Sequence, residues 1–247
     1  MTTITLIGTG HVFNLAEALE DSLDRISPET ICVELDPQRY QALILRKTNP
    51  QAVEKARKNA PYIYRLLGDF QDNMAKEYGV KAGDEMLSAV TYGQNNQLPV
   101  HFIDKNAQHL FSSMLKQMSI KEKMSLFFSG FAGLFVGKKK VEAELSNIDT
   151  NFDTYLEQIS DKYPTIKRVL IDERNEHMVN HIIRLSENVD RLVAVLGDGH
   201  LPGMQKLLEE KTEHTINTIR LKELRAYTPM PKDVSTASFS INYQDYQ

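Results

Sequence analysis

Ile4-Thr5-Leu6-Ile7-Gly8-Thr9-Gly10-His11 and Leu192-Val193-Ala194-Val195-Leu196-Gly197-Asp198-Gly199-His200 stand near opposite ends of a 247-residue chain. Each is a short apolar run of strand type that closes on Gly-x-Gly-His. Such a strand is expected to turn sharply, because glycine reaches positive φ without steric cost. The next residue is then presented at the carboxyl end of the strand, the edge at which open α/β sheets bind ligands. Histidine holds that place twice, so two imidazoles are expected in one site built from both ends of the sequence.

Outward from these turns, strand and helix alternate. Leu15, Leu19, Leu23 and Ile26 place one apolar face on a helix, and Ser27-Pro28 turns the chain into a second strand over 30–35. Asp36-Pro37 opens the next helix, with Asp as N-cap and Pro at the first helical position. Asn49-Pro50 and Ala60-Pro61 break a helical region that runs to about residue 78. Gly83-Asp84 starts a helix over 85–92, and 99–103 reads as a short strand. The pattern from 107 to about 187 is helical, with breaks near Met118-Ser119, Gly137 and Tyr163-Pro164. A strand over 192–196, a helix over 201–210 and a last strand over 215–221 follow. The fold class is α/β: a mixed or mostly parallel sheet flanked by helices, with a large helical insertion at about 106–188. Residues 1–226 form one domain, and 227–247 form a polar tail whose alternating Phe239, Ile241 and Tyr243 suit an edge strand.

Composition narrows the function classes. A formal net charge of −4 gives no reason to expect nucleic acid as a partner. The single cysteine, Cys32, excludes an internal disulfide and reads as a small buried side chain. Met1-Thr2-Thr3 runs directly into a strand without the pattern of a secretory leader, and the chain as written is expected to be cytoplasmic. The longest apolar stretch, 126–136, is far shorter than the ~20 residues that span a bilayer. Membrane association is therefore not expected of these residues, unless a spanning region belongs to a longer protein. The same stretch, around Phe127 and Phe135, suits a homodimer through the helical insertion.

Gly8-Thr9-Gly10 after a strand invites a dinucleotide fingerprint, but Phe13 stands where a third small residue is needed and His11 crowds a pyrophosphate. A metal centre uses more of the chain, since histidine and carboxylate together suit zinc, manganese or cobalt. Glu34 ends the second strand, expected beside the strand that delivers His11, and Asp104 ends the strand over 99–103. Glu85 lies in the first turn of its helix, where the macrodipole favours a carboxylate without any function. Glu173, His177 and His181 share one face of a helix, yet Met178 replaces the glutamate that a zinc-protease helix requires after its first histidine. His177 and His181 are thus ordinary helix residues. Arg174 is a suitable clamp for a carboxylate or carbonyl.

Gly8-Thr9-Gly10-His11, Val33-Glu34-Leu35-Asp36-Pro37-Gln38-Arg39, Gly83-Asp84-Glu85-Met86, Phe102-Ile103-Asp104-Lys105, Asp172-Glu173-Arg174-Asn175 and Gly197-Asp198-Gly199-His200-Leu201-Pro202-Gly203 follow one another as in a known family. In order and spacing, over about residues 4 to 222, the chain resembles the TraB/PrgY pheromone-shutdown family. That family is related to the Tiki metalloproteases and more distantly to erythromycin-esterase and ChaN-like proteins. The resemblance implies a Tiki-like fold and a divalent-metal-dependent peptidase or related hydrolase. It places the two histidines and the glutamate of the site on His11, His200 and Glu34. The family's arginine and second acid fall among Arg39, Arg174, Glu85 and Asp104, with Glu173 a further candidate. Lys105 departs from the arginine common at its position and cannot offer the planar fork.

The leading expectation is a metallopeptidase acting on peptides or proteins, with Mn²⁺, Co²⁺ or Zn²⁺ held by His11, His200 and Glu34 or Glu85. The glutamate not on the ion would be the base, and Arg39 or Arg174 would stabilise the oxyanion. Two alternatives stay open: a non-catalytic module binding a peptide, haem or another small ligand, and a metal-free esterase-like hydrolase with His11 as base.

Overall fold

The computed structural model describes residues 1–10, 15–51, 83–125 and 161–226. In chain order these give β1 (Thr3–Thr9), α1 (Ala16–Ile26), β2 (Thr30–Val33), α2 (Pro37–Thr48), α3 (Asp84–Asn95), β3 (Val100–Phe102) and α4 (Ala107–Gln117). Then come α5 (Pro164–Lys167), a π turn (Arg168–Asp172), α6 (Glu173–Ser186), β4 (Arg191–Gly197), a 3₁₀ turn (Asp198–His200), α7 (Leu201–Lys211), β5 (Thr215–Ile219) and α8 (Leu221–Arg225). His11, the apolar stretch around Phe127 and Phe135, and the tail 227–247 with its expected edge strand lie outside the described residues.

The five strands form one sheet in the order β3-β2-β4-β1-β5, and every pairing is parallel. The mixed alternative falls away. One expectation is corrected: β2 pairs with β4 and β3, so Glu34 stands beside the strand that delivers His200, not beside β1. Because the side chains of a strand alternate, each strand feeds two cores. Ile7, Ile31, Val33, Val193 and Val195 pack with Leu19 and Leu23 of α1, Met86 and Val90 of α3 and Leu224 of α8. Ile4, Leu6, Cys32, Leu192, Ala194 and Leu196 pack with Met178 and Ile182 of α6 and Met204 and Leu208 of α7 on the other face. Burial pushes the Cys32 thiol up to about 12, as suits a core residue and not a nucleophile.

From β1 the chain leaves toward β2, and from the adjacent β4 it leaves the opposite way toward β5. The helices that follow, α1 and α7, pack on opposite faces of the sheet, so the two connections open a crevice at the carboxyl ends of β1 and β4, the place where such sheets bind ligands. Both Gly-x-Gly-His turns follow these two strands, whose register pairs Gly8 with Leu196 and Thr9 with Gly197.

The described ends of the helical insertion are joined by one carboxylate. Ser119 and Glu122 form a reciprocal capping box, Oε2 accepting from Ser119 N at 2.8 Å and Ser119 Oγ accepting from Glu122 N at 3.2 Å. Glu122 Oε1 also accepts from Thr165 N at 2.9 Å, so helix starts far apart in sequence share it. The N–H of Ser119 first, then that of Thr165, hold its carboxyl down to about 2. Glu122→Ala is expected to cost about 1–3 kcal/mol in urea denaturation at neutral pH. Because the folded pKa is lowered, the wild-type advantage is complete above the ordinary 4.5 and fades as pH falls toward about 2.

Candidate active site

The 3₁₀ turn after β4 carries His200 inward, leaving it 5% exposed. Its Nδ1 lies 2.6 Å from Asn175 Oδ1 on α6. An amide oxygen only accepts, so Nδ1 carries a proton, and a guanidinium only donates, so Nε2, facing Arg174, presents its lone pair. Asn175 is itself buried, and its place depends on α7: a Cβ on Gly203 would stand 2.4 Å from Asn175 Nδ2.

Nε2 of His200 accepts from Nη1 of Arg174 at 3.0 Å. The same guanidinium grips Asp104 through Nε–Oδ1 at 2.9 Å and Nη2–Oδ2 at 2.8 Å, the bidentate geometry that only arginine offers. Nη2 also donates to Glu34 Oε1, and Nη1 donates to the carbonyl of Leu170 in the π turn at 3.2 Å. All five N–H donors of Arg174 are therefore used. Glu34 turns its other oxygen to Gly197 N at 2.6 Å, tying the end of β2 to the end of β4. Burial opposes ionisation of Glu34, but the charge of Arg174 and the Gly197 N–H outweigh it and hold the carboxyl well below its usual range. The same carboxylates keep Arg174 charged against its own burial. Two carboxylates, Glu34 and Asp104, share one guanidinium in this cluster.

The other candidates stand apart from this cluster. Arg39, in the first turn of α2, makes no side-chain hydrogen bond or ion pair among the described residues; its backbone N–H caps onto Asp36 at 3.2 Å. Glu85 is buried and accepts from Gly83 N at 3.1 Å, and no described hydrogen bond joins it to Arg174 or His200. Glu173 pairs with Arg168 at 3.0 Å and Lys105 at 3.7 Å on the rim. His181 Nδ1 bonds the His177 carbonyl at 3.0 Å, which fits its reading as a helix residue. His11 lies outside the described residues.

Three features escaped the sequence reading. Asn175 was quoted only as part of a motif. The glycines of the turns serve close approach, since neither Gly8 nor Gly197 uses positive φ; Gly83, at 92°, is the one described glycine that does. A Cβ on Gly8 would meet Asp198 Oδ1 at 2.2 Å, and one on Gly197 would meet Glu34 Oε2 at 3.3 Å. Asp198, the variable residue of the second turn, is clamped by Arg220 Nη2 at 2.6 Å and Leu221 N at 2.7 Å. That clamp ends β5 at Ile219 and starts α8 where a strand through 221 was expected. Gly8→Ala is expected to lower stability by about 1–3 kcal/mol by displacing Asp198. In an Asp198→Ala background that cost should shrink; equal costs in thermal denaturation would show that the clash lies elsewhere.

The sequence profile of the TraB/PrgY/gumN family matches residues 1–218, which carry β1 through β4, all but the last residue of β5, and every residue of the cluster. The chain belongs to the TraB/PrgY/gumN family. It is 32% identical over 226 residues to the uncharacterized protein MJ1365 of Methanocaldococcus jannaschii, an alignment covering 90% of this chain and 56% of that protein. The chain thus spans little more than half the length of that relative. Among the described residues no helix is long and apolar enough to cross a membrane.

The donor chemistry of this TraB-family site suits a borderline divalent ion. An imidazole with its Nδ1–H fixed by a buried amide is the arrangement that orients metal-binding histidines, and Glu34 Oε1 lies 3.4 Å from Nε2. The geometry is filled by Arg174: among the described residues, no group of three or more His, Cys, Asp or Glu is arranged to hold an ion.

Proposed function

We propose that this TraB-family chain is a hydrolase of peptide bonds, acting on peptides or proteins at the carboxyl ends of β1 and β4. One observation carries the reading: a buried imidazole of fixed tautomer, His200, sits beside an ionised Glu34 and a guanidinium, at the crevice where β1, the strand before the other Gly-x-Gly-His sequence, also ends. His11, His200 and Glu34 would hold a divalent ion, Mn²⁺, Co²⁺ or Zn²⁺. When bound, such an ion supplies Lewis acidity toward a carbonyl oxygen and makes water more acidic.

The chain's own groups have distinct roles in this reading. Asn175 keeps the Nδ1–H of His200 occupied, so only Nε2 faces the crevice. Asp104 anchors Arg174 by its Nε edge, so the Nη1 N–H that holds His200 Nε2 is the one that could turn to negative charge developing on a carbonyl oxygen once His200 is released. Glu34, which stays ionised, becomes available to an ion at Oε1 only when Arg174 Nη2 releases it. Arg174, not Arg39, is therefore the arginine assigned to the oxyanion, and Glu85 receives no role.

A metal-free esterase-like reaction is the second reading, favoured by one observation: Arg174, Asp104, Glu34 and His200 already form a saturated hydrogen-bonded set. Elemental analysis and cleavage of a peptide library, on wild type and on His11→Ala and His200→Ala, test both. Stoichiometric Mn, Co or Zn lost with cleavage in both variants supports the metallopeptidase. Cleavage that survives a chelator but not His11→Ala supports the metal-free reaction. Ligand binding without turnover, or a Soret band without divalent metal, would sink hydrolysis in favour of a binding module.

A further inference from the structure

The cluster contains a mutual exclusion. A neutral imidazole has one lone pair, and Asn175 fixes it at Nε2 of His200. That lone pair is given to Arg174 Nη1 at 3.0 Å, while Glu34 Oε1 accepts from Nη2 of the same group. No ion can take His200 Nε2 while Arg174 holds it. We propose that Arg174 is an internal cation that competes with a divalent ion for His200 and Glu34, and that ion binding displaces its guanidinium onto Asp104.

The inference rests on the metal reading of the site and concerns residues that reading leaves idle. The guanidinium has two usable edges, and they point to different partners. Its Nε and Nη2 grip Asp104 at 2.9 and 2.8 Å, independently of His200. Its Nη1 holds Leu170 O at 3.2 Å and His200. Displacement from His200 and Glu34 thus leaves the bidentate pair with Asp104 as a tether, and the arginine is not expelled to solvent. The π turn Arg168–Asp172 directly precedes α6 and provides the Leu170 carbonyl. π turns of this kind are frequent at functional sites. Charge permits the exchange: Glu34 and Asp104 now share one guanidinium, whereas with a divalent ion on Glu34 and His200 and Arg174 on Asp104 each carboxylate has its own cation, and the cluster moves from one positive charge short to one in excess.

The exchange predicts that removing the guanidinium strengthens ion binding. Calorimetric titration of the full chain with MnCl₂ and with ZnCl₂ compares wild type, Arg174→Gln, Arg174→Lys and His200→Ala. Arg174→Gln is expected to bind at least about tenfold more tightly than wild type, a gain of roughly 1.4 kcal/mol, with Arg174→Lys between them. His200→Ala should abolish the binding. If Arg174→Gln folds poorly without ion, refolding in saturating ZnCl₂ gives the same information: the ion should raise its thermal midpoint far more than that of wild type. Equal or weaker binding by Arg174→Gln, with wild-type binding still dependent on His200, overturns the exchange and leaves the metal site standing. No His200-dependent binding in any form overturns the metal reading and the exchange together.

Discussion

Arg174→Met is expected to lower stability by about 3–5 kcal/mol, because it strands two buried carboxylates without their cation. Glu34 and Asp104 are 7% and 5% exposed at their side chains, and Arg174 is 12% exposed, so water cannot replace the lost partner. The loss also leaves His200 Nε2 and Leu170 O without their donor. Urea denaturation at neutral pH measures the effect. Its pH dependence has a definite sign. The folded state lowers the Glu34 pKa, so its contribution is complete above the ordinary carboxylate range and declines as pH falls through the lowered value. In Arg174→Met the stranded carboxyls instead favour the protonated form, so the gap between variant and wild type should narrow on acidification. Adding Glu34→Gln and Asp104→Asn to Arg174→Met should return part of the stability. A gap that stays constant from pH 7 to pH 4 would show that packing of the arginine stem, not charge, sets the cost.

His200→Ala should reduce peptide hydrolysis on the order of 10³-fold or more, as loss of a central group in a coupled site does. Asn175→Ala should cost less, about 10–100-fold, since it leaves the imidazole present but frees its tautomer and ring orientation. The two variants are separable by what they do to ion binding: the first removes it, the second weakens it. Cleavage of a peptide library read by mass spectrometry, with circular dichroism to confirm folding, measures both. If Asn175→Ala matched wild type in rate and affinity, the 2.6 Å contact with Nδ1 would be structural only.

Much of the architecture was legible because its signals are local. Asp36 caps α2 by accepting from Gln38 N at 2.9 Å, as its place before Pro37 suggests. The breaks at Met118-Ser119 and Tyr163-Pro164 fall where α4 ends and α5 begins. Strand order was not legible, because strands buried on both faces carry no alternation that marks their neighbours. That is why Glu34 was placed beside the wrong strand. Within the site, His200, Glu34, Asp104 and Arg174 were each named, but Arg174 was not read as the group that joins the other three, since it lies 70 residues from Asp104. Ser119-x-x-Glu122 was a readable helix-start signature that went unread. Asp198 gave no local sign of its pairing with Arg220, and the turn glycines were credited with conformational freedom when their use is to leave room.

The position of β1 also governs the order in which the protein can be assembled. Its two hydrogen-bonded neighbours, β4 and β5, begin at Arg191 and Thr215. During synthesis the first strand therefore emerges long before anything it can pair with. At ~5–20 residues per second that wait is on the order of ten seconds or more. Throughout it, Ile4, Leu6 and Ile7, fully buried in the finished sheet, have both backbone edges open. A chain stopped near residue 190 would keep β2 and β3 but lose both neighbours of β1 together with His200. The ribosome-bound chain is thus most exposed to misassembly and chaperone capture just before its last strands arrive, and the site closes only with them.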